Sequence, residues 1–369
     1  MLTRVDVDLG PRSYPVLIGS DCLPAIGPTL REHNLPQTNA FVLTNPQVGA
    51  LYFPTLEASL HSAGFTRVVR HDIPASEEGK NWDEFSRTCA ALLEHFPDAG
   101  AAPLVILLGG GVVGDLGGFA AAVYRRGIPF VQVPTTLLSA VDSSVGGKVA
   151  VNFGGVKNIM GSFSQPRLVF CDLAALRTLS PRELRSGTAE VIKYGVVCDA
   201  SLFDALKEDS LEKLLALDAD TLIEVVARCV QLKANVVQKD ELDKLGIRNV
   251  LNFGHTIGHA LELSAHYALT HGEAISIGMV AATKLAIRLG ICGQDLLGQL
   301  ENQLRRAQLP TTYPGHTKLF DPMLRALQLD KKFRNGKNLF VLPVRPGIWQ
   351  QQEDIAWPLV HEVMREALL

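Results

Sequence analysis

Apolar and polar residues alternate at period two along Val5-Asp6-Val7-Asp8-Leu9, and Tyr14-Pro15-Val16-Leu17-Ile18-Gly19 follows as a returning strand would. The pattern predicts a hairpin at the start of the chain. Four short apolar runs come next: Ala40-Phe41-Val42-Leu43, Arg67-Val68-Val69-Arg70, Leu104-Val105-Ile106-Leu107-Leu108 and Phe130-Val131-Gln132-Val133, with helical stretches between them. Such alternation marks a parallel sheet, because parallel neighbours need a long crossover that a helix fills. From about residue 200 the period changes. Leu211-Glu212-Lys213-Leu214-Leu215-Ala216-Leu217 and Leu222-Ile223-Glu224-Val225-Val226 carry apolar residues at the three- and four-residue spacing of an amphipathic helix. The expected architecture is an α/β domain with a parallel sheet over residues 1–178 and a mainly α-helical domain over 179–369.

Local signals sharpen the second half. Ser180-Pro181-Arg182-Glu183 reads as a helix start, with Ser180 as N-cap, proline in the first helical position and Glu183 closing a capping box. The helix should run through Glu190. Thr270-His271-Gly272-Glu273 repeats that spacing and sets His271 at a helix start. Asp240 to Lys244 predicts a charged, exposed turn leading into Arg248. Near the end, Asp330-Lys331-Lys332 precedes a turn at Asn335-Gly336 and a strand at Leu339-Phe340-Val341-Leu342.

Composition mostly excludes. With 369 residues and 47% hydrophobic content the chain can bury a large core, and a net charge of −3 gives no basic field for nucleic acid or an anionic membrane. Charges occupy the start of the chain where a signal peptide needs an apolar run, so a cytoplasmic location is expected. Cys22, Cys89, Cys171, Cys198, Cys229 and Cys292 stand singly, without the close spacing of a thiolate zinc site.

Candidate chemistry falls in three stretches. Gly109-Gly110-Gly111-Val112-Val113-Gly114-Asp115 places G-x-G-x-x-G directly after a strand, where open backbone amides at a helix start suit a pyrophosphate. The same glycines could serve only helix–strand packing, and no acidic residue lies about 20 residues on to hold a ribose. Pro134-Thr135-Thr136 brings hydroxyls to the carboxyl end of the next strand, and Gly146-Gly147-Lys148 and Lys157-Asn158 offer charge and backbone to phosphate oxygens, or else form a surface turn with solvated lysines. The third stretch is Asn252-Phe253-Gly254-His255-Thr256-Ile257-Gly258-His259-Ala260-Leu261-Glu262, followed by His271-Gly272-Glu273-Ala274. His255 and His259 are one helical turn apart and face one way. Gly254 and Gly258 each cost about 1 kcal/mol in a helix, so close packing must require them. His255 is followed by Thr256 rather than Glu, so the zinc-protease pattern is absent and a metal would need a ligand from elsewhere. Glu190 is a candidate; its bland alternative is an ion pair with Lys193, three residues on.

Taken together, GGGVVGD, DSSVGGK, KNxxGxF, LRSGxAEVIK, LNFGHTIGHALE and HGEA give the chain a near end-to-end resemblance to the 3-dehydroquinate synthase family. The resemblance implies a Rossmann-like α/β domain that binds NAD, a helical domain that binds metal and substrate, and one Zn2+ or Co2+ on Glu190, His255 and His271. It implies conversion of 3-deoxy-D-arabino-heptulosonate 7-phosphate to 3-dehydroquinate and phosphate, through transient oxidation by NAD, phosphate β-elimination, re-reduction, ring opening and aldol closure. By motif position His259 handles protons, Lys148 and Asn158 engage the phosphate, and Arg126 reaches a second subunit of a homodimer. Lys193, Lys233, Arg248 and Asn252 hold the carboxylate and hydroxyls, Asp142 orients a hydroxyl, and Lys332 or Lys331 closes over the substrate. The cofactor positions are Asn45, Glu77, Lys80, Gly111, Val112, Val113, Gly114, Asp115, Thr135, Thr136, Lys148, Lys157 and Thr178.

The chain departs from the family pattern at Ser76, where a glycine is usual, at Leu43, often acidic, and in the loop Asp240–Gly246, one residue longer. The first two concern the adenosine side of the cofactor. Rival readings are a sedoheptulose 7-phosphate cyclase, a metal-dependent polyol dehydrogenase and an inactive homologue.

Overall fold

Every residue of Leu104–Gly109 and of Phe130–Pro134 is buried, which a strand achieves only when both faces of its sheet are covered. The computed structural model describes residues 2–36, 38–328 and 337–369. Its strands are β1 Thr3–Val7, β2 Tyr14–Gly19, β3 Asn39–Thr44, β4 Arg67–Asp72, β5 Leu104–Gly109, β6 Phe130–Pro134, β7 Lys148–Phe153, β8 Val156–Phe163, β9 Leu168–Asp172, β10 Leu339–Arg345 and β11 Ile348–Glu353. The α-helices are α1 Ile26–Glu32, α2 Pro46–Ser62, α3 Trp82–His95, α4 Gly111–Val123, α5 Pro181–Cys198, α6 Ala200–Lys207, α7 Ser210–Leu215, α8 Ala219–Lys239, α9 His255–Ser264, α10 His271–Arg288, α11 Gln294–Arg306, α12 Phe320–Gln328 and α13 Trp357–Glu366.

The chain groups into two units, residues 1–179 with 226–242, and 180–225 with 243–369. A single boundary after residue 178 was the sequence expectation; the chain instead passes between units after Leu179, Val225 and Leu242. The first unit holds a seven-stranded sheet in the order β1-β2-β9-β6-β5-β3-β4, parallel except where the predicted hairpin β1–β2 joins antiparallel. Strand alternation divides its core. Phe41, Leu43, Val105 and Leu107 pack with Phe85, Leu92, Leu116 and Phe119, while Ala40, Val42, Leu104 and Ile106 pack with Ile26, Leu30, Leu56 and Leu60. Two features add to the strands predicted: β9, between β2 and β6, and the hairpin β7–β8, where the sequence offered phosphate-binding lysines or a surface turn but no strands.

In the second unit the helix starts fall where expected. Ser180 Oγ accepts from the Glu183 amide at 3.2 Å, and Thr270 and Glu273 form a reciprocal capping box. The predicted strand near the end is β10, paired with β11. One correction falls in the first unit. Asp240, expected in an exposed turn, is buried, its amide closing the last turn of α8 on the Val237 carbonyl at 3.1 Å. No helix among the described residues is long and apolar enough to cross a membrane.

Candidate metal centre and dinucleotide site

The histidine helix is built on close approaches. A Cβ on Gly278 of α10 would lie 2.0 Å from the Gly254 carbonyl oxygen, and one on Gly258 of α9 would lie 2.9 Å from that of Ala274. Backbones this near leave no room for side chains, which accounts for glycines that helix propensity disfavours. Gly272 does the same against α5: its amide donates to Ser186 Oγ at 2.9 Å, and a Cβ there would lie 2.1 Å from the Ser186 carbonyl oxygen. Ser186 is one turn before Glu190, so this contact sets His271 beside that carboxylate. Arg182 ties the same junction, donating to both Glu273 oxygens at 2.9 and 2.6 Å and to the Ala268 carbonyl at 2.7 Å.

The result is a convergence of donors. Glu190 is fully buried, with Oε1 3.2 Å from His271 Nε2 and 3.5 Å from His255 Nε2. One ligand atom from each of Glu190, His255 and His271 lies within 4.8 Å of the others. The far nitrogens are anchored. A carbonyl can only accept, so the Phe253 oxygen 3.0 Å from His255 Nδ1 places the proton there and leaves the Nε2 lone pair for a cation. His271 turns Nδ1 toward Glu262 Oε2 at 3.6 Å. Burial disfavours a charged His271, but contacts with Glu190 and Glu262 outweigh it and raise the pKa to about 9. The pocket therefore favours positive charge on this ring. One carboxylate with two imidazoles is a zinc-type donor set, and three protein ligands leave a position for substrate. The residues fit the expected group. His259 lies alongside, its ring 5.0 Å from that of His255 and 5.8 Å from that of His271. The second Glu190 oxygen pairs with Lys193, which is also fully buried and donates to the Leu251 carbonyl at 3.0 Å. Arg248 is buried in the 3-10 turn Ile247–Asn252, which Asn252 ends.

The first unit holds the cofactor candidates. Gly111 opens α4 directly after β5, with the Gly114 amide donating to the Gly110 carbonyl at 3.0 Å. Val113 is in the core and Val112 half-buried. Lys80, 3% exposed, donates to Asp115 Oδ2 at 2.5 Å and to Asn158 Oδ1 at 2.6 Å. Burial leaves the Asp115 carboxyl above its usual value although the Lys80 ammonium pulls it down. The Asn158 amide donates to Asn152 Oδ1 at 2.9 Å, and Asn152 Nδ2 donates to Glu77 Oε1 at 3.0 Å, near which Lys157 lies at 3.8 Å. Thr135 is buried, Thr136 Oγ1 accepts from the Ser139 amide at 3.1 Å, and Asn45 caps α2. Thr178 Oγ1 meets the Tyr52 hydroxyl at 2.5 Å. Lys233 on α8 donates to the Asp142 carbonyl at 2.8 Å and pairs with its carboxylate. Lys148 opens β7 on the surface. Arg126 is exposed with a left-handed backbone, φ 66°. Lys331 and Lys332 lie outside the described residues.

Two family models, described as 3-dehydroquinate synthase N-terminal and C-terminal, match residues 70–186 and 187–333. The chain is 46% identical to the 3-dehydroquinate synthase of Desulforamulus reducens over 92% of this chain and 93% of the relative. The chain belongs to the 3-dehydroquinate synthase family. Another relative, the 3-dehydroquinate synthase of Crocosphaera subtropica, is 40% identical over 99% of both chains. Among solved structures, the 2-epi-5-epi-valiolone synthase of Streptomyces hygroscopicus, solved with NAD+ and Zn2+ bound, superposes with a TM-score of 0.85 at 29% identity and 96% coverage of each chain. The fold is thus that of 3-dehydroquinate synthase and its relatives.

Sequence reasoning passed over Glu262, Arg182 and Asn152. Glu262 left a usable signal, standing three residues after His259 and seven after His255 on one helical face. Asn152 left none, since its partners come from distant segments.

Proposed function

We propose that this chain is a phosphate-eliminating carbon–oxygen lyase that converts 3-deoxy-D-arabino-heptulosonate 7-phosphate to 3-dehydroquinate and phosphate, in the shikimate route to aromatic amino acids. The observation that carries the reading is the meeting of Glu190, His255 and His271 within 4.8 Å, in a chain of this family. When bound, Zn2+ or Co2+ supplies Lewis-acid polarisation of a substrate hydroxyl, and NAD supplies reversible hydride acceptance. His255 and His271 present Nε2 to the cation and Glu190 presents Oε1, while Lys193 balances the other oxygen and turns to the substrate when the pair opens. His259, beside the ligands without being one of them, holds or releases a proton at its imidazole.

Arg248 takes the substrate carboxylate, its planar fork matching two oxygens. Asn252 and Lys233 hold hydroxyls, and Asp142 keeps Lys233 in place. Lys148 and Asn158 bind the phosphate, and Lys332 or Lys331 closes over the substrate. For NAD, the amides of Gly111–Asp115 face the pyrophosphate, with Asn45, Glu77, Lys80, Thr135, Thr136, Lys148, Lys157 and Thr178 around the rest. NAD binding falls to residues 1–178 together with the returning segment 226–242, and metal and substrate binding to the rest of 179–369. A homodimer is part of the proposal, with Arg126 reaching the partner. It is supported by the hairpin β7–β8, which exposes Phe153, Val156, Ile159, Met160 and Phe163. Contiguous apolar surface of that kind marks an interaction site. The proposed compartment is the cytoplasm, in keeping with six thiols spread singly along the chain.

The test supplies NAD and zinc with the heptulosonate phosphate, sedoheptulose 7-phosphate or glycerol in turn, following phosphate and NADH. Phosphate from the first substrate alone, without net NADH, is expected. Phosphate from the sedoheptulose ester would make the chain a different cyclase, and NADH from glycerol a dehydrogenase.

A further inference from the structure

The two imidazoles aimed at Glu190 are anchored by different chemistry. His255 has a neutral carbonyl behind Nδ1, whereas His271 has the Glu262 carboxylate behind its Nδ1. Glu262 reaches there because it lies on the histidine face of α9, and only 4% of it is exposed. A buried carboxylate costs several kcal/mol unless a donor or cation meets it, so its placement demands a partner. His271 Nδ1, 3.6 Å from Oε2, answers that demand, and a shift of a few tenths of an ångström gives a hydrogen bond.

We propose that Glu262 is a positioning residue: its carboxylate accepts a hydrogen bond from the Nδ1–H of His271, fixes the tautomer whose Nε2 lone pair faces the cation, and strengthens that nitrogen as a ligand. The inference rests on the metal reading above and extends it from the ligands to what aims them. A carboxylate behind a ligating histidine raises its basicity, and removing such a partner costs about ten- to a hundredfold in metal affinity. Glu262 also lies close enough to His259 and His271 for the three to hold a cation themselves. That arrangement is the weaker one. His271 would have to serve one cation through Nδ1 and another through Nε2, which requires loss of the remaining ring proton.

The test measures zinc affinity by competition with a chromophoric chelator on the full chain, together with the visible spectrum of the cobalt-substituted protein. Glu262→Ala is expected to weaken zinc about ten- to a hundredfold. Glu262→Gln keeps the shape and an acceptor oxygen, so it should fold as the parent does, recover most of that loss, and shift the cobalt bands slightly. In a His271→Ala background, Glu262→Ala should add less than about twofold, since the residue it positions is gone. Three results overturn the proposal: affinity and cobalt bands unchanged in both Glu262 variants, an undiminished loss in the His271→Ala background, or two zinc ions per parent chain falling to one in Glu262→Ala. A parent chain that takes up no zinc would overturn the metal reading itself, whereas zinc bound equally by parent and variants sinks this inference alone.

Discussion

Glu190 and Lys80 are both buried charged groups, and their surroundings are opposites. Around Glu190, two imidazole nitrogens approach one carboxylate oxygen at 3.2 and 3.5 Å while Lys193 pairs with the other, so three ligand atoms converge on one point. Around Lys80, Asp115 and Asn158 oxygens surround the ammonium at 2.5 and 2.6 Å, so the charge is answered within the chain. The first arrangement gains from an added cation. The second is already neutral, and an anionic ligand there must draw on the amides of the Gly111 turn rather than on Lys80. A binding pocket can thus be prepared by converging ligand atoms on one point or by settling opposite charges so that only the backbone is on offer.

The sharpest break of this contrast is Glu190→Ala. It should remove stoichiometric zinc, measured by elemental analysis, and lower turnover about a thousandfold or more, roughly 4 kcal/mol of transition-state stabilisation. Lys80→Met should act on stability instead. It strands Asp115 in a partly buried site and should cost about 1–3 kcal/mol in a urea melt, while Lys80→Met with Asp115→Asn should recover much of that; failure of the double variant to recover would refute the pairing. Gly272→Ala places a methyl 2.1 Å from the Ser186 oxygen and should cost about 1–3 kcal/mol, the range for overpacking, with weaker zinc binding because α5 and α10 are forced apart. Chelator competition on that variant checks whether the helix contact sets the ligand geometry.

The smallest effect belongs to the Arg182–Glu273 fork. Burial would raise the Glu273 carboxyl, but the Arg182 hydrogen bond and the Thr270 amide hold it below the ordinary value. A carboxyl lowered in the folded state contributes stability above the unfolded pKa of about 4.3, and that contribution fades as pH falls through the lower folded value. Because Arg182 is 54% exposed, the fork is worth no more than about 1 kcal/mol. Arg182→Ala should flatten the acid side of the stability profile slightly, followed by melts from neutral pH down to about pH 2.5.

The short apolar runs at 40–43 and 104–108, spaced by helical stretches, made the sheet readable, since each run is written in consecutive residues. So did the caps at Ser180 and Thr270, which involve atoms three residues apart. Strand β9 and the hairpin β7–β8 escaped because the first follows a hairpin rather than a crossover helix and the second carries apolar side chains on its exposed surface. The sequence located the family motifs, the histidine spacing and the need for a packing reason at Gly254 and Gly258.

What the chain carried in its own order was therefore local: periodicity, caps, and which residue types could bind a cation or a phosphate. Tertiary structure alone decided that Gly258 and Gly278 let two helix backbones touch, that Gly272 sets His271 beside Glu190, and that Lys80 is answered by Asp115 and Asn158. These depend on distances between atoms 16 to 86 positions apart, from Gly258 to Ala274 and from Gly272 back to Ser186. No short-range pattern encodes such distances, because packing of the whole unit sets them.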